Sequence, residues 1–237
     1  ALFGCLSVLL FLNVVFTDAA HGQGSYGQGS YGQGSGDEGS GGEGELRQEH
    51  HQLDLIFRSN VGFDTPFWLQ HNRYDLIPDG SSAQTGFHYQ YRQPFNGSTE
   101  FIVAAELYGR TDGAFLDRPL HQAYAGLRHG NWLLSVGMRE ERIGMVQPEL
   151  SSGPSIWGGN ARPMPKIKLE LQEFTPLPYT EGWVSVKGGI AHGWFESGRR
   201  VEDFYLHEKS AYLKVGKQPW PRAYVGLIHM SQWGGYD

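Results

Sequence analysis

The sequence predicts an all-β fold, an antiparallel transmembrane outer-membrane β-barrel with about the first half of its strands in this chain. Three observations predict it. Between Lys166 and Gln172, the residues Ile167, Leu169 and Leu171 alternate with Lys166, Lys168, Glu170 and Gln172, so one strand face is apolar and the other charged. Elsewhere the apolar positions repeat every two residues rather than every three and four, and no convincing amphipathic helix emerges outside the first residues. The connections between the alternating segments are short and long in turn, as in outer-membrane barrels with short periplasmic turns and long outer loops. Glycine supplies 34 of 237 residues and mean hydropathy is -0.43, a composition that argues against a helix-rich soluble enzyme.

Residues 1–20 are expected to be an export signal, truncated at its start. Ala1 to Phe16 is almost wholly apolar, and Thr17-Asp18-Ala19-Ala20 offers small residues for cleavage. An initiator methionine and a basic leader are missing, which places the expected start upstream. As a membrane-spanning helix the run falls short of the roughly 20 residues required. Cys5 is the single cysteine, so an intrachain disulfide is excluded, and the apolar run continuing past it argues against a lipoprotein processing site.

Residues 21–49 read as a flexible, disordered linker of GQGSY repeats (Gly22 to Gly36) followed by an acidic Gly/Ser/Glu stretch. Gly22, Gly24 and Gly27 satisfy a G-x-G-x-x-G pattern, but no strand precedes them and no helix follows, so nucleotide binding is not expected. Asp18, Asp37, Glu38, Glu43, Glu45 and Glu49 against Arg47 hold most of the net charge of -6. The remainder is near neutral, which excludes a basic nucleic-acid footprint.

From residue 50 onward strands are expected at about 53–60, 85–93, 99–109, 119–128, 132–140, 166–174, 182–195, 204–215 and 222–233. Phe87, Tyr89 and Tyr91 share one face of their strand, with His88, Gln90 and Arg92 on the other; Phe101 and Val103 likewise oppose Glu100 and Glu106. Asn96-Gly97, Gly130-Asn131 and Pro219 to Pro221 mark tight turns. Longer segments fall at about 61–84, 110–118, 141–165 and 196–203, with 175–181 intermediate. With a periplasmic start, every long loop lies outside. Trp233 to Asp237 leaves a strand with nothing after it to pair, so a continuation beyond residue 237 is expected. A soluble β-sandwich lectin shares the strand-rich composition and stands as the competing fold.

The chain resembles the Wzi-like capsule assembly proteins, more closely the version found in Bacteroidetes-type bacteria. The likeness covers residues 50–237 and rests on GFDTPFWLQHNRY (Gly62 to Tyr74), LHQAYAGL (Leu120 to Leu127), WGGNARPMPKIKL (Trp157 to Leu169), GGIAHGW (Gly188 to Trp194), YLHEKSAYLKVG (Tyr205 to Gly216) and GLIHMSQWGG (Gly226 to Gly235). It implies the N-terminal part of a large barrel in the cell outer membrane, in contact with outer-membrane lipid, that acts as a monomeric lectin. Capsular or surface polysaccharide is the implied partner, without a catalytic step or a cofactor. The GQGSY repeats match no part of that pattern.

Sugar binding requires flat aromatic faces and planar polar groups. Phe67, Trp68, His71, Asn72 and Tyr74 in one expected outer loop, and Trp157, Asn160 and Arg162 in another, supply them. The same aromatics also suit an interfacial girdle. His192, His207, Lys209, His229 and Gln232, with Glu208, are read as a hydrogen-bonded polar network inside the barrel. His207-Glu208 does not open an H-E-x-x-H motif, because residue 211 is Ala, and no zinc-ligand spacing occurs, so no metal is expected. Glu140, Glu141, Glu170 and Glu173 are the carboxylates a glycosidase would recruit; their positions at strand ends and on a polar face suit solvated or interior charge better. Asn96-Gly97-Ser98 matches a glycosylation sequon, which its turn explains. A porin-like channel and a secreted lectin or glycosidase are the alternative functions.

Overall fold

Period-two alternation punctuated by tight turns makes each strand pair with the next in sequence, and that is the whole topology. The computed structural model describes residues 8–18, 48–59, 65, 67–77, 82–111, 119–145, 156–197 and 202–236. The strands are β1 (Val8–Asp18), β2 (Gln48–Ser59), β3 (Ser82–Asn96), β4 (Thr99–Arg110), β5 (Leu120–His129), β6 (Trp132–Met138), β7 (Pro165–Pro176), β8 (Val184–Trp194), β9 (Glu202–Val215) and β10 (Ala223–Tyr236). They form one antiparallel sheet in sequence order, with β1 and β10 as its edges. The fold is all-β and the sheet is open. One short helix, α1 (Phe67–Gln70), lies between β2 and β3. Among the described residues no helix is long and apolar enough to cross a membrane.

All nine expected strands are present, with ends shifted by a few residues. The tenth, β1, was not expected: Val8–Asp18, the described part of the run read as an export signal, pairs with β2, Val8 opposite Ser59 and Asp18 opposite Glu49. Cys5 and the GQGSY repeats lie outside the described residues, as does the expected linker except for its last two residues, which begin β2.

The turns form for local reasons. Asn96 Oδ1 accepts from the Ser98 amide at 3.1 Å, an Asx turn joining β3 to β4. Gly130 adopts φ 55° between β5 and β6, where a side chain would be strained. From β2 onward the connections at 97–98, 130–131, 177–183 and 216–222 gather at one end of the sheet. The strand ends joined through 60–81, 111–119, 139–164 and 195–201 lie at the other.

The two faces are inverted relative to a water-soluble sheet. Lys166 and Lys168 are each 6% exposed and Glu208 is 1% exposed, while Ile167, Leu169 and Ile190 are 45%, 40% and 53% exposed. Register explains this. Ser135, Lys168, Ala191 and Glu208 form one cross-strand row on the polar face. On the opposite face Leu127, Leu134, Leu169 and Ile190 form another. Val136, Val225 and Leu227 extend that exposed apolar face. The polar face is charged toward its turn end as well, where Glu100 bridges Arg92 at 3.5 Å and Arg128 at 3.0 Å.

Candidate functional site

The polar face culminates, at its long-loop end, in a layer of six charged side chains. Lys166 Nζ donates to Glu208 Oε2 at 2.8 Å and also to Glu141. Lys168 Nζ donates to Glu141 Oε2 at 2.6 Å, and lies 3.4 Å from Glu170 and 3.1 Å from Glu208 Oε1. Arg139 closes the layer by pairing with Glu170. Three cations meet three carboxylates, so the layer is neutral. The lysines reach β9 because, at their level, β8 presents the small residues Gly189, Ala191 and Gly193 to this face. A Cβ at Gly193 would lie 3.1 Å from Lys166 Cγ, so the glycine leaves the path over which the lysine stem passes.

Glu141 enters from the 139–145 segment, which leaves β6 and folds over the polar face with Ile143 buried. Burial pushes the Glu141 carboxyl up, but Lys168 and Lys166 outweigh burial and hold it below the ordinary carboxylate range.

Above this layer opens a cleft of about 490 Å³ whose lining includes Tyr74, Trp157, Asn160, Arg162, Phe195 and Glu196. Two long loops build its rim together. The Asn72 amide donates to Asn160 Oδ1 at 2.8 Å, the Gly159 amide donates to Asn72 Oδ1 at 3.1 Å, and the Tyr74 amide donates to the Gly159 carbonyl at 2.6 Å. Asn72, Tyr74 and Asp75 all take positive φ (56°, 51° and 65°), a costly turn for a tyrosine. Those bonds hold it in place, and the Tyr74 hydroxyl donates to the Glu141 carbonyl at 3.0 Å. Burial, then Glu140, push the Tyr74 phenol up, so it stays a donor at neutral pH. The Trp157 ring sits over Lys166 Nζ at 3.9 Å, which fixes one flat aromatic face above the charged floor.

Of the eight residues expected to supply sugar contacts, Tyr74, Trp157, Asn160 and Arg162 line this cleft, Asn72 ties its rim, and Phe67 does not line it. Trp68 and His71 do not line it. Trp68, on α1, is 75% exposed, and the His71 ring rests on Phe67 at 4.8 Å.

The expected interior network is corrected. His192, His207, Lys209 and His229 lie on the apolar face: His192 pairs with Ile167 and His207, and Lys209 with Ile190 and His229. Of the residues read into that network, Glu208, opposite Ala191, and Gln232, opposite Leu206, share the polar face. The charged network on the polar face joins Glu208 to Arg139, Glu141, Lys166, Lys168 and Glu170. On the apolar face His192 joins an aromatic cluster, with Trp194 at 4.9 Å, Tyr205 at 5.7 Å and Trp233 at 5.8 Å. The four carboxylates weighed for hydrolysis are dispersed among other tasks. Glu140 binds His121, Glu141 and Glu170 belong to the neutral layer, and Glu173 is exposed.

Comparison of this chain with protein-family models, curated proteins and solved structures finds no match.

Proposed function

We propose that this chain forms the wall of an outer-membrane β-barrel of the Wzi-like kind, and that it holds capsular or surface polysaccharide in the cleft at its outer rim without chemical turnover. The observation that carries the reading is the inversion of the sheet: charged side chains are buried on one face, and the other is an exposed, mainly aliphatic face that also carries His192, His207, Lys209 and His229. In water such a face would be covered, and among the described residues the strands make a single sheet with no second one against it. In lipid it is the required outer surface.

The aromatics agree. Trp194, Tyr205 and Trp233 cluster at the long-loop end of β8 to β10, while Trp132, Trp183 and Trp220 lie at or near the turn end. About ten residues of strand separate the two groups, the length that a strand tilted by roughly 45° needs to cross a bilayer. Two such groups match interfacial girdles.

The cleft provides what a neutral or weakly charged glycan needs: the Trp157 and Tyr74 rings for stacking, with Asn160 and Arg162 for hydroxyls. Its floor is self-neutralised, so stacking and shape dominate over net charge. That neutral, tightly paired layer also disfavours a porin, whose interior charges face a wide aqueous path.

The test is polysaccharide retention on cells carrying Trp157→Ala, Arg162→Ala or Trp68→Ala at matched surface expression. Retention is expected to fall severalfold in the first two and to stay unchanged in the third. Full retention in both cleft variants overturns the assignment of the cleft.

A further inference from the structure

Beside the cleft, on the same polar face, lies a second constellation that the polysaccharide reading does not use. His121 is only 1% exposed. Its Nε2 is 2.7 Å from Glu140 Oε1, and ligand atoms of Glu106, His121 and Glu140 all lie within 4.8 Å of one another. The three residues come from β4, β5 and the start of the 139–164 loop. The β4–β5 register shifts between Glu106 and Leu107, and His121 falls at that irregularity, between Gln122 opposite Glu106 and Leu120 opposite Leu107.

We propose that Glu106, His121 and Glu140 form a binding site for a divalent transition-metal ion, Zn²⁺ or Mn²⁺ in chemical class. Two carboxylates converge on one buried imidazole, so a dication there neutralises both anions. One nitrogen and two oxygen donors suit zinc or manganese better than calcium, which takes six or more oxygens. Ligation at about 2.1 Å puts donor atoms roughly 3 Å apart. Closing the present separations to that distance calls for rotation of the two partly exposed glutamates.

An outer layer that orients the ligands is also present. His88 Nδ1 lies 3.2 Å from Glu106, and Tyr108 hydroxyl meets His88 Nε2 at 3.1 Å. The Glu140 amide donates to Gln122 Oε1 at 2.7 Å, which fixes the chain where this ligand sits. Glu140 is followed by Glu141, which grips Lys166 and Lys168, and the Tyr74 ring stands edge-on to His121 at 6.4 Å. The ion therefore pins the loop that forms the cleft floor. The proposal rests on the fold and not on the polysaccharide reading, and metal binding is measured without glycan.

Calorimetric titration of the full chain in detergent micelles with Zn²⁺, Mn²⁺ and Ca²⁺ tests it. One saturable site is expected for Zn²⁺ or Mn²⁺, at least tenfold tighter than for Ca²⁺. Affinity should drop at least tenfold in His121→Ala and in Glu140→Gln, and about tenfold in the orienting variant His88→Ala. The apolar-face double variant His192→Ala/His207→Ala should bind as the parent does. Far-UV circular dichroism and heat-dependent gel mobility identify folded variants, and Glu140→Gln and Glu106→Gln remain informative should His121→Ala fail to fold. The proposal is overturned by the absence of a stoichiometric site, by binding indifferent to Glu140→Gln and Glu106→Gln, by equal affinity for Ca²⁺, or by loss of binding in the double variant.

Discussion

Glu208→Gln removes one negative charge from a layer in which three cations balance three carboxylates, and leaves a surplus positive charge in a site almost without solvent. Glu208 accepts from Lys166 Nζ at 2.8 Å and lies 3.1 Å from Lys168 Nζ. The gross attraction at such separations is about 4 kcal/mol or more per contact at an effective dielectric near 20. Much of it is offset because the neutral amide has less hydration to forgo, and the remaining loss is about 3–5 kcal/mol, the usual consequence of breaking a buried pair. Lys166→Met alone has a similar cost with the opposite sign of surplus charge. Combining the two restores neutrality among Arg139, Lys168, Glu141 and Glu170, so the double variant should recover at least about 2 kcal/mol relative to the sum of the singles. Urea unfolding from phospholipid vesicles, followed by tryptophan emission, measures all four proteins. A loss below about 1 kcal/mol in Glu208→Gln, or strict additivity in the double variant, refutes the idea that charge balance holds the layer together.

Other expectations concern the two faces and the floor. Leu169→Arg on the exposed apolar face should destabilise the protein in bilayers by about 2–4 kcal/mol; a water-facing position would tolerate it within about 0.5 kcal/mol, so a neutral result removes the membrane reading. Ala191→Leu, which blocks the path from Lys168 to Glu208, should cost about 1–3 kcal/mol in the same urea assay. The depressed Glu141 carboxyl contributes stability that is present above its unfolded pKa and is lost as pH falls through the folded one. Trp157 emission should therefore hold from pH 7 to about pH 5 and change only in stronger acid, with the transition absent from Glu141→Gln.

Much of the architecture is legible in the sequence because strand alternation and turn chemistry are local signals. The Ile167-Lys168-Leu169 pattern announces two environments by itself, and Asn96-Gly97 announces its hairpin. β1 is not legible. Val8–Asp18 is apolar at nearly every position, so it carries no period to distinguish a strand from the core of an export signal. In β9, Tyr205, His207 and Lys209 alternate with Leu206, Glu208 and Ser210, and each set holds polar residues. Only pairing with β8 decides which set meets Ile190, and that information is not in the strand. Glu141 was legible only as a solvated or interior charge at a strand end, for a related reason: the lysines it pairs with are 25 and 27 residues away. The cleft rim was half legible, since the aromatic and amide residues of two loops were visible but their meeting through Asn72 and Asn160 was not.

The inverted faces and the neutral layer are two consequences of one constraint. On the membrane reading, a wall with lipid on its outer side places most of its charges on the inner side, Lys209 being an exception, and there, with little water, each charge needs an opposite partner. Such pairing consumes the charges that could otherwise attract a polyanion, so a binding site resting on this floor has to work through ring faces and hydroxyl-directed groups. Contacts of that type are individually weak and suit a polymer that repeats the same sugar many times, because rebinding of neighbouring units supplies the residence that a single unit lacks. It follows that isolated monosaccharides should compete poorly for the cleft while long chains of the same sugar compete well, and that raising the salt concentration should change retention little. A strong salt dependence would mean that cations outside this layer, rather than Trp157 and Tyr74, carry the binding.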